Sequence, residues 1–117
     1  MNTEITNAII KSARITNGDH GLLSAWLNLD YGGSGQGFGG YCLYVPKKKG
    51  SADKGNYCGH FIWRVLEMTD VTEWDKLVGK TIRVKASHRG IEAIGHILED
   101  KWFNPKAEFE AMAANNA

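Results

Sequence analysis

The segment Gly32-Gly33-Ser34-Gly35-Gln36-Gly37-Phe38-Gly39-Gly40 constrains this chain more than any other, because six of its nine residues are glycine. Each ordered glycine costs roughly 0.5–1 kcal/mol relative to alanine, so such density needs a backbone that side chains would obstruct. Gly35, Gly37 and Gly40 fit the G-x-G-x-x-G pattern of dinucleotide-binding folds. That pattern has meaning only between a parallel strand and a helix whose N-terminus meets a pyrophosphate. Here Leu22 to Tyr31 precedes the segment and Tyr41 to Val45 follows it, and both read as strands, so a Rossmann site is rejected. No Gly-Lys-Ser/Thr follows to make a phosphate loop. Three uses remain open: a ligand site, a bulged loop or tight strand pairing that requires positive φ, and a contact between subunits.

Around this segment the pattern is that of a mixed α/β chain. Ala8 to Thr16 reads as a strand, Asn17 to Gly21 as a turn, and Leu22 to Tyr31 as a strand of strict alternation. Leu23, Ala25, Leu27, Leu29 and Tyr31 share one face of it. Trp26 stands on the polar face and needs a covering layer or a contact surface. Tyr41 to Val45 is expected to form the third strand, stopped by Pro46. A basic loop follows, Lys47-Lys48-Lys49 through Lys54 and Gly55. Asn56 caps an expected helix whose stripe is Tyr57, Phe61, Ile62, Val65 and Leu66. Asp70 and Glu73 have capping-box spacing, which predicts a second, short helix ended by Gly79. Thr81 to His88 and Ile91 to Leu98 predict a hairpin turning at Arg89-Gly90. Trp102-Phe103 is expected to anchor a last helix, with Asn104 as cap and Pro105 at its first position. The fold class that follows is α+β: an antiparallel sheet of about five strands, ordered β-β-β-α-α-β-β-α, with helices on one face. One domain spans residues 1–117, with 1–4 and 113–117 expected to fray.

Bulk properties exclude little. The net charge is +1, and hydrophobic residues make up 43% of the 117. Nothing demands a nucleic-acid or membrane partner, no apolar run approaches a membrane span, and the polar N-terminus lacks a signal-peptide pattern. A reducing cytosol is the expected compartment. Cys42 and Cys58 make no disulfide framework and read as small core or interface residues. Cys58, His60 and Cys42 lack the spacing of a structural zinc site, so no metal and no cofactor are expected. No nucleophile, base and orienting group can be assembled, which places an enzyme behind a binding protein.

Three stretches, residues 19–26, 31–41 and 94–103, carry a resemblance. The chain resembles a family of small proteins encoded by tailed phages and prophages, over roughly residues 8–105. The resemblance implies a phage gene acting in the host cytoplasm and brings no catalytic residue with it. Combined with the glycine segment, it leads to the expectation of a non-catalytic accessory protein that binds a small anionic ligand, such as a linear or cyclic nucleotide of host-defence signalling. Gly33, Gly35, Gln36 and Gly37 would present the backbone to phosphate, Ser34 and Gln36 would add hydrogen bonds, Phe38 or Tyr41 would stack on a base, and Arg64 would supply charge. A homo-oligomer is expected, because a small sheet offers little concavity. Two other expectations stand beside it. One is a nucleic-acid-binding module of recombination or replication, using Lys47, Lys48 and Lys49. The other is an inhibitor docking on a host protein through Trp26.

Overall fold

The computed structural model describes residues 4–45 and 57–115. Among these residues six antiparallel strands form one sheet, β3-β2-β1-β4-β5-β6 across its width. They are β1 (Glu4–Asp19), β2 (Leu22–Tyr31), β3 (Ser34–Gly39), β4 (Thr81–Ser87), β5 (Gly90–Gly95) and β6 (Trp102–Phe103). Two helices, α1 (Tyr57–Thr69) and α2 (Pro105–Asn115), complete the α+β fold expected from the sequence.

β1 organises the sheet. Its first half pairs with β4, from Glu4↔Ala86 to Ile9↔Thr81, and its second half with β2, from Ile9↔Asp30 to Asp19↔Leu22. A register shift between Ile10 and Ser12 marks a bulge at Lys11, where one strand changes partners. A bulge adds local twist, and the sheet curls here. Its far side closes towards its start: Cα atoms of β3 come within 8 Å of those of β5.

The period of two in β2 determines which face is buried. Ala25, Leu27 and Leu29 point inward with Ala8 and Ile10 of β1 and Ile82, Val84 and Ala86 of β4. α1 lies in this concavity and buries Phe61, Val65 and Met68, spaced as one helical stripe. Each such side chain contributes roughly 1.5–3 kcal/mol by leaving water. Phe38 from β3, Phe61 from α1 and Phe103 from β6 meet at centroid separations of 5.5–6.2 Å, so one aromatic cluster ties both sheet edges to the helix.

Several local expectations are corrected. The third strand is the glycine segment itself, Ser34–Gly39. Tyr41 to Val45 continues as extended chain joined to β2 by Leu43 N–H donating to Leu23 O and by a bridge between Leu23 and Tyr44. The helix expected from Asp70 is one 3₁₀ turn, Trp74–Lys76. Asp70 has φ +58° and Glu73 is extended with no side-chain cap, so neither serves a capping box. The second hairpin's return strand ends at Gly95, not Leu98, because the chain turns at His96. Trp102 and Phe103 form a sixth strand in addition to anchoring the helix. Asn104 caps α2 as expected, its Oδ1 accepting from Ala107 N–H at 3.1 Å, and the helix runs to Asn115. The loop lysines Lys47, Lys48, Lys49 and Lys54, and Asn56, lie outside the described residues. Glu4 already belongs to β1.

Candidate functional site

The glycine segment is a hairpin and an edge strand. Tyr31 pairs with Ser34, leaving Gly32 and Gly33 as a two-residue turn with φ +61° and +79°. Positive φ at both positions matches the twist of the flanking strands, and glycine adopts it without strain. Beyond the turn, Gly35, Gly37 and Gly39 pair with Asp30, Asn28 and Trp26 and share their outward face.

Trp26 explains much of this composition. A Cβ on Gly37 would stand 3.0 Å from the Trp26 ring, and one on Gly40 would stand 2.2 Å from it. The indole therefore lies flat on the backbone of its own sheet. It needs no second layer, and the glycines opposite are the space it occupies. Gly39 also lets the chain pass close to β2, since its Cβ would fall 2.3 Å from Ala25 O. Gly35 has no such reason. Its nearest neighbour to a Cβ is Leu29 O at 3.8 Å, and its φ is ordinary.

Gly35 lies in an outer-face groove of about 450 Å³, lined by Gly33, Gln36, Gly37, Lys11, Asn28 and Asp30. Four of the expected ligand residues, Gly33, Gly35, Gln36 and Gly37, thus come together. Ser34 lies across the hairpin in a second cavity of about 480 Å³, with Glu4, Thr6, Tyr31, Ser87 and His88 at the mouth of the curled sheet. As an edge strand, β3 keeps a row of main-chain donors and acceptors outside the ladder.

The other expected residues are placed elsewhere. Phe38 is 1% exposed inside the aromatic cluster and presents no ring to a ligand. Tyr41 packs edge-on against Phe109, and burial pushes its phenol above the ordinary value. Arg64 is fully engaged. Nε and Nη2 donate to the Glu108 carboxylate at 3.0 and 3.1 Å, Nη1 to Glu67 at 2.6 Å, and Nη2 to Trp102 O at 2.7 Å. Burial lowers the guanidinium pKa, but the hydrogen bonds and charges of Glu108 and Glu67 outweigh it, so the net direction is upward. Arg64 docks α2 and β6 onto α1 and takes no part in the groove.

Two histidine–carboxylate pairs resemble catalytic dyads. His96 is 4% exposed; its Nε2 donates to Asp70, while Nδ1 accepts the N–H groups of Leu98 and Glu99 at 3.1 and 3.0 Å. Both ring nitrogens are occupied, so His96 holds the turn into β6. His60 pairs with Glu108 at 2.7 Å, the same carboxylate that receives Arg64. Among the described residues no group of three His, Cys, Asp or Glu side chains is placed to hold a metal ion.

The sequence reading missed a second indole on glycine. Trp102 covers Gly95, where a Cβ would stand 2.5 Å from the ring. Lys85 Nζ lies 4.4 Å and Arg83 Cζ 4.9 Å from the Trp102 ring centroid. The available signal was Trp102, seven residues beyond Gly95 with a turn-rich stretch between them. The sequence reading also missed Trp63, 68% exposed on α1 beside an apolar cleft formed with Leu66 and Val71.

No family model, curated protein or solved structure matches the chain. Among the described residues no helix is long and apolar enough to cross a membrane.

Proposed function

We propose that this chain is a non-catalytic binding module for a phosphate-bearing ligand, seated on the outer sheet face along β3. The observation that carries the reading is Gly35. Turn geometry accounts for Gly32 and Gly33, and Trp26 or close backbone passage accounts for Gly37, Gly39 and Gly40. A side chain at Gly35 would meet no close neighbour, and the residue lines the groove beside Lys11 and Asn28. Leaving a β-position without a side chain weakens the strand, and an approaching ligand supplies the reason. Linear and cyclic nucleotides of host-defence signalling fall within this ligand class.

Gly35→Val tests the reading. The new side chain enters open space at an ordinary φ, so the fold holds while the groove fills. A thermal-shift panel of inorganic phosphate, mononucleotides, dinucleotides and cyclic dinucleotides should contain a stabilising ligand. At 100-fold its dissociation constant such a ligand adds about 2.7 kcal/mol. The Gly35→Val protein should lose that shift while its own melting temperature holds or rises. A panel without stabilisation, or a ligand indifferent to Gly35→Val, refutes the proposal.

A further inference from the structure

The outer sheet face carries a charge asymmetry that the whole chain hides. On the outward positions of β1, β2 and β4 stand Lys11, Arg14, Arg83 and Lys85 against Asp30, with Asp100 at the edge of the Trp102 ring. Among the described residues none of the four basic side chains forms an ion pair, whereas Arg64 and Lys101 are both paired with carboxylates. Arg83 donates to two main-chain carbonyls, His96 O and Glu99 O, each at 2.7 Å. Those bonds orient the guanidinium and leave its charge uncompensated.

Aromatic and apolar surface alternates with these charges. Trp26 lies flat beside Arg14 at one end of β1, and Trp102 lies flat beneath Lys85 and Arg83 near the other. Between them Ile5 and Ile9 are 58% and 41% exposed on the same face. From the level of Arg14 to that of Ile5 the strand extends roughly 30 Å at the usual rise. The β3 groove has room for one phosphate-bearing ligand, while the open face beyond it offers only shallow contacts. A polymer can sum several shallow contacts along such a path.

We infer that this face binds single-stranded nucleic acid, with phosphates on Lys11, Arg14, Arg83 and Lys85 and unstacked bases against Trp26, Ile9, Ile5 and the Arg83–Trp102 stack. The inference rests on the proposed phosphate-ligand function and extends its groove across the sheet. Positive charge tracks a backbone of any sequence, and aromatic or guanidinium planes accept any base. A duplex hides its bases from a flat stacking surface, so single strands are preferred.

Fluorescence anisotropy with labelled DNA and RNA single strands of about 12 nucleotides, and with a duplex of equal length, tests this across a salt series. Single strands should bind at least tenfold more tightly than duplex and far more tightly than mononucleotides. Lys85→Gln and Arg14→Gln should each weaken binding and lower the salt slope by about one. Trp26→Phe should weaken binding to single strands while leaving the salt slope unchanged. Mononucleotides that stabilise the protein while oligomers bind no tighter would overturn this inference and leave the groove reading standing. If neither binds, both fall. Equal binding of duplex and single strand, or a dimer that covers this face in solution and excludes the oligomer, also overturns it.

Discussion

Gly95→Ala measures how tightly an indole can be set into a sheet. The added methyl would stand 2.5, 2.6 and 2.8 Å from three carbons of Trp102, whereas carbon atoms rest at about 3.5–4.0 Å. The ring must retreat by about 1 Å. It is held on its far side by Lys85 and Arg83 and at its edge by Nε1 donating to Asp100 at 3.0 Å, so retreat disturbs all three. Overpacking of this kind costs about 1–3 kcal/mol, and the exposed cation–π contacts add about 0.5–1 kcal/mol each. A loss of about 2–3 kcal/mol follows. In a Trp102→Ala background the clash disappears, and alanine in a strand becomes favourable over glycine by about 0.5–1 kcal/mol. The double-mutant cycle should therefore show a coupling of about 3 kcal/mol. Urea unfolding followed by circular dichroism reads this as a midpoint lowered by about 1–2 M in one background and raised slightly in the other. An equal loss in both backgrounds would refute the reasoning, because Gly95 would then be required by the backbone and not by the ring.

Three further outcomes are expected. Phe38→Ala should lower stability by about 3–5 kcal/mol in urea unfolding without touching the groove, since it empties the cluster joining β3, α1 and β6. Glu108→Gln should weaken the docking of α2, seen as faster amide exchange in that helix, because Arg64 and His60 lose a shared anion. Tyr41 has its phenol pKa raised by burial, so the folded state holds that proton more tightly than the unfolded state. Its stabilising contribution is complete below about pH 10 and is lost as pH rises through the folded value. Unfolding compared at neutral and strongly alkaline pH should show a smaller alkaline loss in Tyr41→Phe.

Local rules carried far along this chain. The strict alternation of Leu22 to Tyr31 determined β2 and its buried face, the stripe from Phe61 to Leu66 determined α1, and Asn104-Pro105 determined the start of α2. Each rests on neighbours a few residues apart, which a sequence displays directly. The α+β class followed from their order. Other features depended on partners distant in the chain. Asp70 looked like a helix cap, but His96, 26 residues away, takes its carboxylate at a left-handed backbone position.

Phe38, Tyr41 and Arg64 had the chemistry of a nucleotide site, yet each is committed to packing or pairing with residues from other elements. Chemistry at a position does not reveal which way that position faces once the sheet curls. The glycine segment shows the division most clearly. Its composition alone required a backbone that is closely approached or held at positive φ, because either use offsets the lost chain entropy. Only cross-strand register showed that Trp26 fills the space above Gly37 and Gly40, and that Gly35 is the glycine left without a structural partner. Register is a property of paired strands, so no single segment could have disclosed it.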